Sequence, residues 1–175
     1  CDACPALHCP LAITMKRLFV IRHAKSDWSD ATLADKQRTL NARGLREAPI
    51  MAAALAKDYP QIDHIISSSA VRTQQTATFV ADAYGIAHEH IQLCDEIYEA
   101  PYEQLLKVVN SCSNDHNAII LVGHMPGVTL LVNALADENL STSPTSSVAV
   151  IDFPYITSWE EVSQGTGKLK EFRVV

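Results

Sequence analysis

The chain has 175 residues, of which 47% are hydrophobic and 19% charged, and its net charge at pH 7 is −6. This length and composition are typical of one soluble globular domain, and they exclude a disordered, collagen-like or coiled-coil chain. The excess of acidic residues argues against binding to nucleic acid or to an anionic membrane surface, because both partners need a basic face.

The first fourteen residues differ in character from the rest of the chain. They hold three of the five cysteines but no lysine or arginine, so they lack the basic start of a secretory signal peptide. The odd cysteine number and irregular spacing argue against a disulfide framework. Met15 begins a strand-like pattern and resembles a native start, so we interpret residues 1–14 as a disordered leader or vector-derived extension and residues 15–175 as a single domain. A minor alternative is a zinc site of cramped spacing, formed by Cys1, Cys4, His8 and Cys9.

Six short segments predict strands, because they are apolar throughout or alternate between apolar and polar residues. The run at 18–21 is wholly apolar and partly β-branched, as in a strand buried on both faces of a parallel sheet. The other segments are 65–66, 91–93, 118–122, 148–153 and 169–174. We expect the last of these to lie at an edge of the sheet.

Four helical patterns lie between the strands. Asn41 caps the first helix, in which Pro49 either makes a kink or marks the true start. The second helix ends at Gly85, and the remaining two are opened by Pro101 and Pro126. The predicted helices cover about 42–58, 70–84, 102–110 and 126–136.

Strands that alternate with helices predict an α/β fold. We expect a three-layer α/β/α sandwich whose sheet is mainly parallel, with an antiparallel edge strand. Loops are expected at 26–40, 137–146 and 154–168, the last a flexible hairpin rich in serine, glycine and threonine. No apolar run approaches the roughly 20 residues that span a bilayer, so we expect no membrane segment and a cytoplasmic protein.

Polar and cationic side chains follow three of the predicted strands. Arg22 and His23 come directly after the first strand, Arg72 follows the second across three serines, and His124 follows the fourth. The carboxyl ends of parallel strands meet at one edge of a sheet, where the ligands of open α/β folds bind. Each residue taken alone has an ordinary structural role available. Together, four such groups at one edge of an acidic protein indicate a pocket for a dianion such as phosphate.

These motifs resemble those of the histidine phosphatase superfamily, whose signature is an Arg-His-Gly strand end, a second arginine and a second histidine. Here they are Arg22-His23-Ala24, Arg72 and Gly123-His124, with Ala24 in place of the usual glycine. Further stretches resemble the SixA-like phosphohistidine phosphatase branch of that superfamily. They are Arg22 to Trp28, Arg38-Thr39-Leu40 with Gly44, Tyr98-Glu99-Ala100, and Gly123 to Pro126.

The resemblance implies a covalent mechanism that needs no cofactor and no metal ion. His23 would attack phosphorus through a neutral ring nitrogen and form a phosphohistidine intermediate, which water hydrolyses. The other ring nitrogen should then donate to a fixed acceptor such as a backbone carbonyl. The groups that would hold the phosphoryl oxygens are Arg22, Arg72 and His124, and those that would add to substrate binding are Lys25 and Ser26.

An ester substrate also needs a general acid for its leaving oxygen. The superfamily often takes it from a carboxylate between the second arginine and the second histidine. The candidates here are Asp95, Glu96 and Glu99, and by position we expect Glu96 to be the acid. The SixA-like branch is thought to work without a strong acid, because the P–N bond of a phosphoamidate is labile. A missing acid would therefore favour phosphohistidine substrates over esters.

Other polar residues near these motifs have two interpretations each. Arg38 adds positive potential to the pocket or lies on the surface, and Trp28 forms a pocket wall or packs elsewhere. Ser146 and Ser147 are candidates for the pocket lining. Four hydroxyl groups either surround the phosphate or cap the helix that follows them, namely those of Ser67, Ser68, Ser69 and Thr73.

The short segments between strands leave little chain for a lid, so we expect an open cleft that accepts a phosphorylated side chain of another protein. The leading interpretation is hydrolysis of phosphohistidine in signalling or phosphotransfer proteins, with inorganic phosphate as the product. The alternatives are a phosphomonoesterase of small-molecule or sugar phosphates and, in another class, a catalytically silent phosphate-binding adaptor. We expect no nucleic-acid or membrane partner, and a monomer or weak dimer.

Overall fold

A computed structural model describes residues 15–175 of the chain. The interpretation of residues 1–14 as a leader, and the alternative zinc ligands among them, lie outside the described residues. Within 15–175, no helix is long and apolar enough to cross a membrane.

The described chain alternates strands with helices, and every predicted strand and helix is present. The strands are β1 (Lys16–Arg22), β2 (His64–Ser68), β3 (Ile91–Cys94), β4 (Ala118–Gly123), β5 (Val148–Phe153) and β6 (Lys168–Arg173). The helices are α1 (Ala42–Asp58), α2 (Val71–Tyr84), α3 (Tyr102–Asn110) and α4 (Gly127–Ala136).

The strands form one sheet in the order β3-β2-β4-β1-β5-β6. β1 pairs in parallel with β4, and both β4 and β3 pair in parallel with β2. β5 runs antiparallel to β1, and β6 pairs antiparallel with β5 at the edge. Both β5 and the edge strand β6 therefore take part in antiparallel pairing, and β5 is the strand whose direction is opposite to that of the other five.

Alternate residues of the central strand β1 face opposite layers of the sandwich. Phe19 and Ile21 pack with apolar residues of α1 and α2 on one side of the sheet. Leu18 and Val20 pack with apolar residues of α3 and α4 on the other side. Because helices cover both faces, all four side chains are buried, as the wholly apolar run predicts. The predicted three-layer α/β/α sandwich is confirmed.

The N-terminus of α1 is held closely against the loop that follows β1. The Asn41 side chain accepts a hydrogen bond from the backbone nitrogen of Gly44 at 2.9 Å, as predicted for the cap. A Cβ atom on Gly44 would lie 2.3 Å from the carbonyl oxygen of Lys25, so only glycine permits this approach. Pro49 lies inside the helix and does not mark its start.

The segment at 154–168 is attached to the core by one aromatic side chain. Trp159 is fully buried, and its ring nitrogen donates to the carbonyl oxygen of His116 at 2.7 Å. The serine and glycine content of this segment predicts a flexible hairpin. The structure instead shows a segment that is attached to the core, because the buried ring of Trp159 packs there and makes a hydrogen bond.

Candidate active site

A cavity of about 320 Å³ opens at the carboxyl edge of β1, β2 and β4. Two carboxylates line it, Asp35 and Glu99, together with the side chains of Ser26 and Trp28. The basic and imidazole side chains that line it are Arg22, His23, Lys25, Arg38, Arg72 and His124. The four residues predicted to form a phosphate site thus share one cavity.

The register of two neighbouring strands brings the two histidines together. Arg22 at the end of β1 is paired with Gly123 at the end of β4, and the backbone nitrogen of His23 donates to the carbonyl oxygen of Gly123 at 3.1 Å. The rings of His23 and His124 consequently lie 5.2 Å apart between their centroids, with a tilt of 59°. Residues far apart in the sequence therefore meet because each directly follows a central parallel strand.

The His23 ring is held in one tautomer. Its Nδ1 atom lies 2.7 Å from the carbonyl oxygen of Ala24. Because a carbonyl oxygen only accepts hydrogen bonds, Nδ1 carries the proton and Nε2 keeps its lone pair. Burial and neighbouring guanidinium groups lower the pKa of His23 to about 4, against the opposing effect of the bond to Ala24. At neutral pH the ring is uncharged, and Ala24 supplies the predicted backbone acceptor.

The His124 ring is engaged at both of its nitrogen atoms. Its Nδ1 atom accepts from Nη2 of Arg72 at 3.3 Å, so the ring proton is on Nε2, which donates to Oγ of Ser68 at 2.8 Å. Burial, with His23 and Arg72 nearby, lowers the pKa of His124 to about 3. This ring is therefore also neutral at pH 7, and it carries one N–H donor near the cavity.

The two motif arginines carry buried donors that lack acceptors. The Nε atoms of Arg22 and Arg72 are buried and have no hydrogen-bond partner among the described residues. Nη1 of Arg22 donates to the carbonyl oxygen of Ser143 at 2.7 Å, and none of the ion pairs within 15–175 involves Arg22. Burial lowers the pKa of Arg22, but a guanidinium remains charged at neutral pH. A partly buried charge without a carboxylate partner suits a cavity that binds an anion.

Asp35, which the sequence analysis did not single out, lies between the cationic groups of the cavity. Its carboxylate accepts from Nη2 of Arg72 at 2.9 Å, from the hydroxyl of Tyr98 at 2.7 Å and from Nε of Arg38 at 3.0 Å. Burial alone would raise the pKa of Asp35, but these hydrogen bonds hold it well below its usual range. The one signal in the sequence was its place three residues before Arg38, in the loop that leads from His23 to α1.

The segment before β5 supports the site through its backbone. The carbonyl oxygen of Ser147 accepts from the backbone nitrogen of Arg22 at 3.1 Å, and the backbone nitrogen of Ser146 donates to the carbonyl oxygen of His23 at 3.3 Å. Both serines are buried, and Thr145 lines the cavity at this point. The expectation that Ser146 and Ser147 line the cavity is therefore wrong, because their pairing with the end of β1 places them beneath it.

The rim of the cavity combines positive charge with an exposed aromatic ring. The guanidinium carbon of Arg38 lies 3.3 Å from the ring centroid of Trp28, and Trp28 is 69% exposed. Lys25 is also exposed, whereas Ser26 is buried and its hydroxyl accepts from Nη1 of Arg38 at 3.4 Å. The structure thus places Lys25 and Ser26 at the cavity, and it places Trp28 at the mouth.

Three hydroxyl residues at the end of β2, namely Ser67, Ser69 and Thr73, bond to groups outside the cavity, whereas Ser68 contacts the His124 ring. Ser67 and Thr73 donate to the carbonyl oxygen of Ser68 at 2.9 and 2.8 Å, and Ser69 bonds to a surface carboxylate. None of the four is among the residues that line the cavity. Their hydrogen bonds stabilise the connection between the end of β2 and the start of α2, the helix that carries Arg72. This favours the structural interpretation of these hydroxyl groups.

Glu96, expected as the general acid, does not lie at the cavity. It lines a separate surface depression, where its carboxylate accepts from the thiol of Cys94 at 3.1 Å. Glu96 is the middle residue of the short 3₁₀ turn Asp95–Ile97, and its side chain is exposed. Glu99 lines the cavity instead, and its backbone adopts a left-handed conformation with φ of 50°. The structure therefore corrects the choice among the carboxylates of this segment.

The cavity joins a neutral imidazole nitrogen to buried guanidinium groups, an arrangement suited to displacement at a phosphoryl group. In such a displacement, the imidazole would supply the attacking lone pair and the guanidinium groups would offset the negative charge on the phosphoryl oxygens. Within residues 15–175, no group of three or more histidine, cysteine, aspartate or glutamate side chains is arranged to hold a metal ion.

The sequence matches a known family over more than half of its length. The sequence model of the Histidine phosphatase superfamily (branch 1) covers residues 18–118. An uncharacterized protein of Mycobacterium tuberculosis is 29% identical over an alignment of 168 residues, and the match covers 88% of this chain and 99% of that protein.

The fold also resembles solved structures of related size. A candidate phosphohistidine phosphatase SixA from Agrobacterium tumefaciens has a TM-score of 0.78 at 30% identity, and the match covers 91% of this chain and 98% of the other. A protein histidine phosphatase SixA complexed with tungstate has a TM-score of 0.75 at 21% identity, with 89% and 95% of the two chains covered. The second likeness is one of fold alone.

Proposed function

This chain belongs to the histidine phosphatase superfamily, and we propose that it hydrolyses phosphohistidine in proteins through a covalent intermediate on His23. Membership of the family and the likeness to the candidate SixA phosphatase from Agrobacterium tumefaciens support phosphatase activity. The observation that carries the proposal is that a neutral His23 shares the cavity with Arg22 and Arg72. Each of these arginines has a buried Nε group without an acceptor among residues 15–175.

The reaction proceeds in two displacements at phosphorus. The lone pair of His23 Nε2 attacks the phosphorus atom, the bond from phosphorus to the leaving atom breaks, and its electron pair goes to that atom. Water then attacks the phosphoryl group on His23. The P–N bond breaks, its electron pair returns to Nε2, and inorganic phosphate leaves. The hydrogen bond from Nδ1 to Ala24 keeps Nε2 unprotonated for the first step.

Three side chains offset the charge on the transferring phosphoryl group. Arg22 and Arg72 provide guanidinium donors, which bind phosphoryl oxygens through parallel hydrogen bonds. His124 provides its Nε2 proton, which in the free protein is donated to Ser68. Ser68 does not line the cavity, so this N–H group reaches a phosphoryl oxygen only if the His124 ring turns when the substrate binds. Because the donors are largely buried, their interactions with developing charge are stronger than they would be in water.

The leaving group is assisted by Glu99. This carboxylate lines the cavity, whereas Glu96 lies in a separate depression. Glu99 favours the form of a phosphohistidine substrate in which the second ring nitrogen is protonated, because its carboxylate accepts a hydrogen bond from that N–H group. The leaving ring then departs as neutral imidazole after taking the electron pair of the P–N bond. The left-handed backbone at Glu99 is an unfavourable conformation of the kind that is often retained at functional sites.

The mouth of the cavity favours a protein substrate. Trp28 exposes most of its ring beside the exposed Lys25, so both side chains are available to contact a partner surface around the phosphorylated residue. Tryptophan is enriched at protein interfaces because it buries a large apolar area. A small phosphate ester would use the same phosphoryl groups but would leave this rim uncovered.

The test compares a phosphohistidine protein with p-nitrophenyl phosphate as substrates, for the wild type and for His23→Ala. We expect the wild type to hydrolyse both and to prefer the phosphohistidine protein, with activity that survives chelation, and we expect His23→Ala to be inactive. Preference for small phosphate esters would support the phosphomonoesterase alternative. Binding of phosphate without any turnover would support the silent adaptor, and unchanged activity of His23→Ala would overturn the covalent mechanism.

A further inference from the structure

Asp35 places a negative charge inside a cavity that otherwise suits an anion. Its side chain lines the cavity together with those of Arg38 and Arg72. A carboxylate at this position repels a phosphoryl dianion, and this repulsion weakens substrate binding. The proposed displacement steps give Asp35 no chemical task. Its presence therefore requires a reason other than contact with the substrate.

The hydrogen bonds of Asp35 hold Arg72 at two points. Oδ2 of Asp35 accepts from Nη2 of Arg72 at 2.9 Å, and the backbone carbonyl oxygen of Asp35 accepts from Nη1 at 2.6 Å. One residue thus binds both terminal nitrogen atoms of the guanidinium group. Because the group is planar, two such contacts fix its orientation, and the buried Nε group remains without an acceptor among the described residues.

The Asp35 carboxylate is itself held by two further donors. The Tyr98 hydroxyl donates to Oδ2 at 2.7 Å, and Nε of Arg38 donates to Oδ1 at 3.0 Å. The Tyr98 ring packs edge-on against His124, with 5.5 Å between the ring centroids. Asp35 is therefore the point at which the loop after β1 is joined to both the second arginine and the second histidine of the site.

We propose that Asp35 is a positioning residue, which holds the Arg72 guanidinium in the orientation that the transferring phosphoryl group requires. This inference rests on the proposed function. The carboxylate weakens binding of the substrate dianion through its charge, but it lowers the barrier of the reaction by keeping Arg72 in place. A guanidinium that must reorient during the reaction stabilises the transition state less than one already in place.

A double-mutant cycle of Asp35→Asn and Arg72→Ala tests whether Asp35 acts through Arg72. We expect Asp35→Asn alone to lower the hydrolysis of p-nitrophenyl phosphate by about tenfold to a hundredfold, since small misplacements of binding groups have effects of this size. In the Arg72→Ala background, the same change should alter the rate by less than about twofold or raise it. Equal losses in both backgrounds, or no loss in the single variant, would overturn the inference.

A second readout is the affinity for tungstate, an anion that resembles phosphate, measured by calorimetry. It is measured for the wild type, for Asp35→Asn, for Arg72→Ala and for the double variant. General damage to the fold would weaken this affinity and would not produce the pattern expected here. Removal of the Asp35 charge strengthens anion binding in both backgrounds. In the protein that keeps Arg72, the same substitution also releases the Arg72 guanidinium from its position, and this loss opposes the gain in anion affinity. Asp35→Asn should therefore strengthen tungstate binding more in the Arg72→Ala background than in the wild type. Equal changes in both backgrounds would contradict a role through Arg72.

Asp30→Asn is the matched control for the loss of one charge from the same loop. Asp30 is exposed, and its carboxylate accepts from the backbone and the hydroxyl of Thr32. This variant should leave both readouts within about twofold of the wild type. His23→Ala separates the two claims. Turnover that persists in His23→Ala contradicts the proposed function. If turnover depends on His23 but the effects of Asp35→Asn and Arg72→Ala are additive, only the role of Asp35 is contradicted.

Discussion

The Nδ1 atom of His23 lies 2.7 Å from the carbonyl oxygen of Ala24, the next residue in the chain. This contact between neighbouring residues decides which ring nitrogen is free to react. Ala24 is fully buried, and its backbone nitrogen donates to the hydroxyl of Thr76 at 3.0 Å, so the acceptor is itself attached to α2. The tautomer of His23 is therefore a property of the packed fold.

The first prediction concerns the pH dependence of kcat/KM. Because the reactive form of His23 is neutral and its pKa is lowered to about 4, activity should be lost only when the pH falls through that value. The measurement is the pH profile of kcat/KM on p-nitrophenyl phosphate, corrected for ionisation of the substrate. An acidic limb at the ordinary histidine pKa of about 6.5 would contradict this account of the ring.

The second prediction concerns the clamp on the phosphoryl group. Arg72→Ala should raise the barrier by about 2–4 kcal/mol, which corresponds to a loss of about 30-fold to 1,000-fold in kcat. Arg43→Ala is the control, because Arg43 is an exposed residue of α1 that pairs with Glu47. It should change kcat by less than about twofold. A nearly normal rate for Arg72→Ala would remove this residue from the site.

The third prediction distinguishes two nearby carboxylates. Glu99→Gln should lower the hydrolysis of a phosphohistidine peptide by about tenfold or more, because the amide oxygen of glutamine is an uncharged and weaker acceptor for the N–H group of the leaving imidazole. It should leave p-nitrophenyl phosphate nearly unaffected, since that leaving group departs without a proton. Glu96→Gln is the matched control and should affect neither substrate. A loss in Glu96→Gln together with normal rates in Glu99→Gln would restore the choice made from the sequence.

The fourth prediction concerns recognition of a protein substrate. Trp28→Ala should raise KM for a phosphohistidine protein by about tenfold, a change expected when an aromatic side chain is lost from an interface, and should leave p-nitrophenyl phosphate turnover unchanged. Tyr155→Ala is the control, since Tyr155 is 84% exposed but follows the end of β5 at the opposite edge of the sheet. Equal losses on both substrates would show that Trp28 supports the catalytic groups themselves.

The sheet and the residues directly attached to it could be predicted from the sequence. The apolar run of β1 and the similar run of β4 identify central strands, and the residue after each strand end must lie at the same edge of the sheet. His23 and His124 were located in this way without knowledge of any loop. Their prediction needed only the strand positions and the parallel pairing, both of which follow from hydrophobic patterning.

The contributions from loops could not be predicted in the same way. Asp35 lies in a loop whose course is set by hydrogen bonds to Arg72, Arg38 and Tyr98, and no periodic pattern encodes these contacts. The choice between Glu96 and Glu99 depends on a single 3₁₀ turn and one left-handed residue. A change of one residue in such a turn redirects a side chain, so position along the sequence was a poor guide.

The central claim is that a phosphoryl group passes through Nε2 of His23. The most direct test is rapid quenching of the wild type during turnover of a phosphohistidine protein, followed by mass spectrometry under conditions that preserve acid-labile phosphate. The account predicts a phosphoryl group on His23 that appears before inorganic phosphate is released and that is absent from His23→Ala. Turnover without phosphorylated His23, or with the phosphoryl group on another residue, would contradict it.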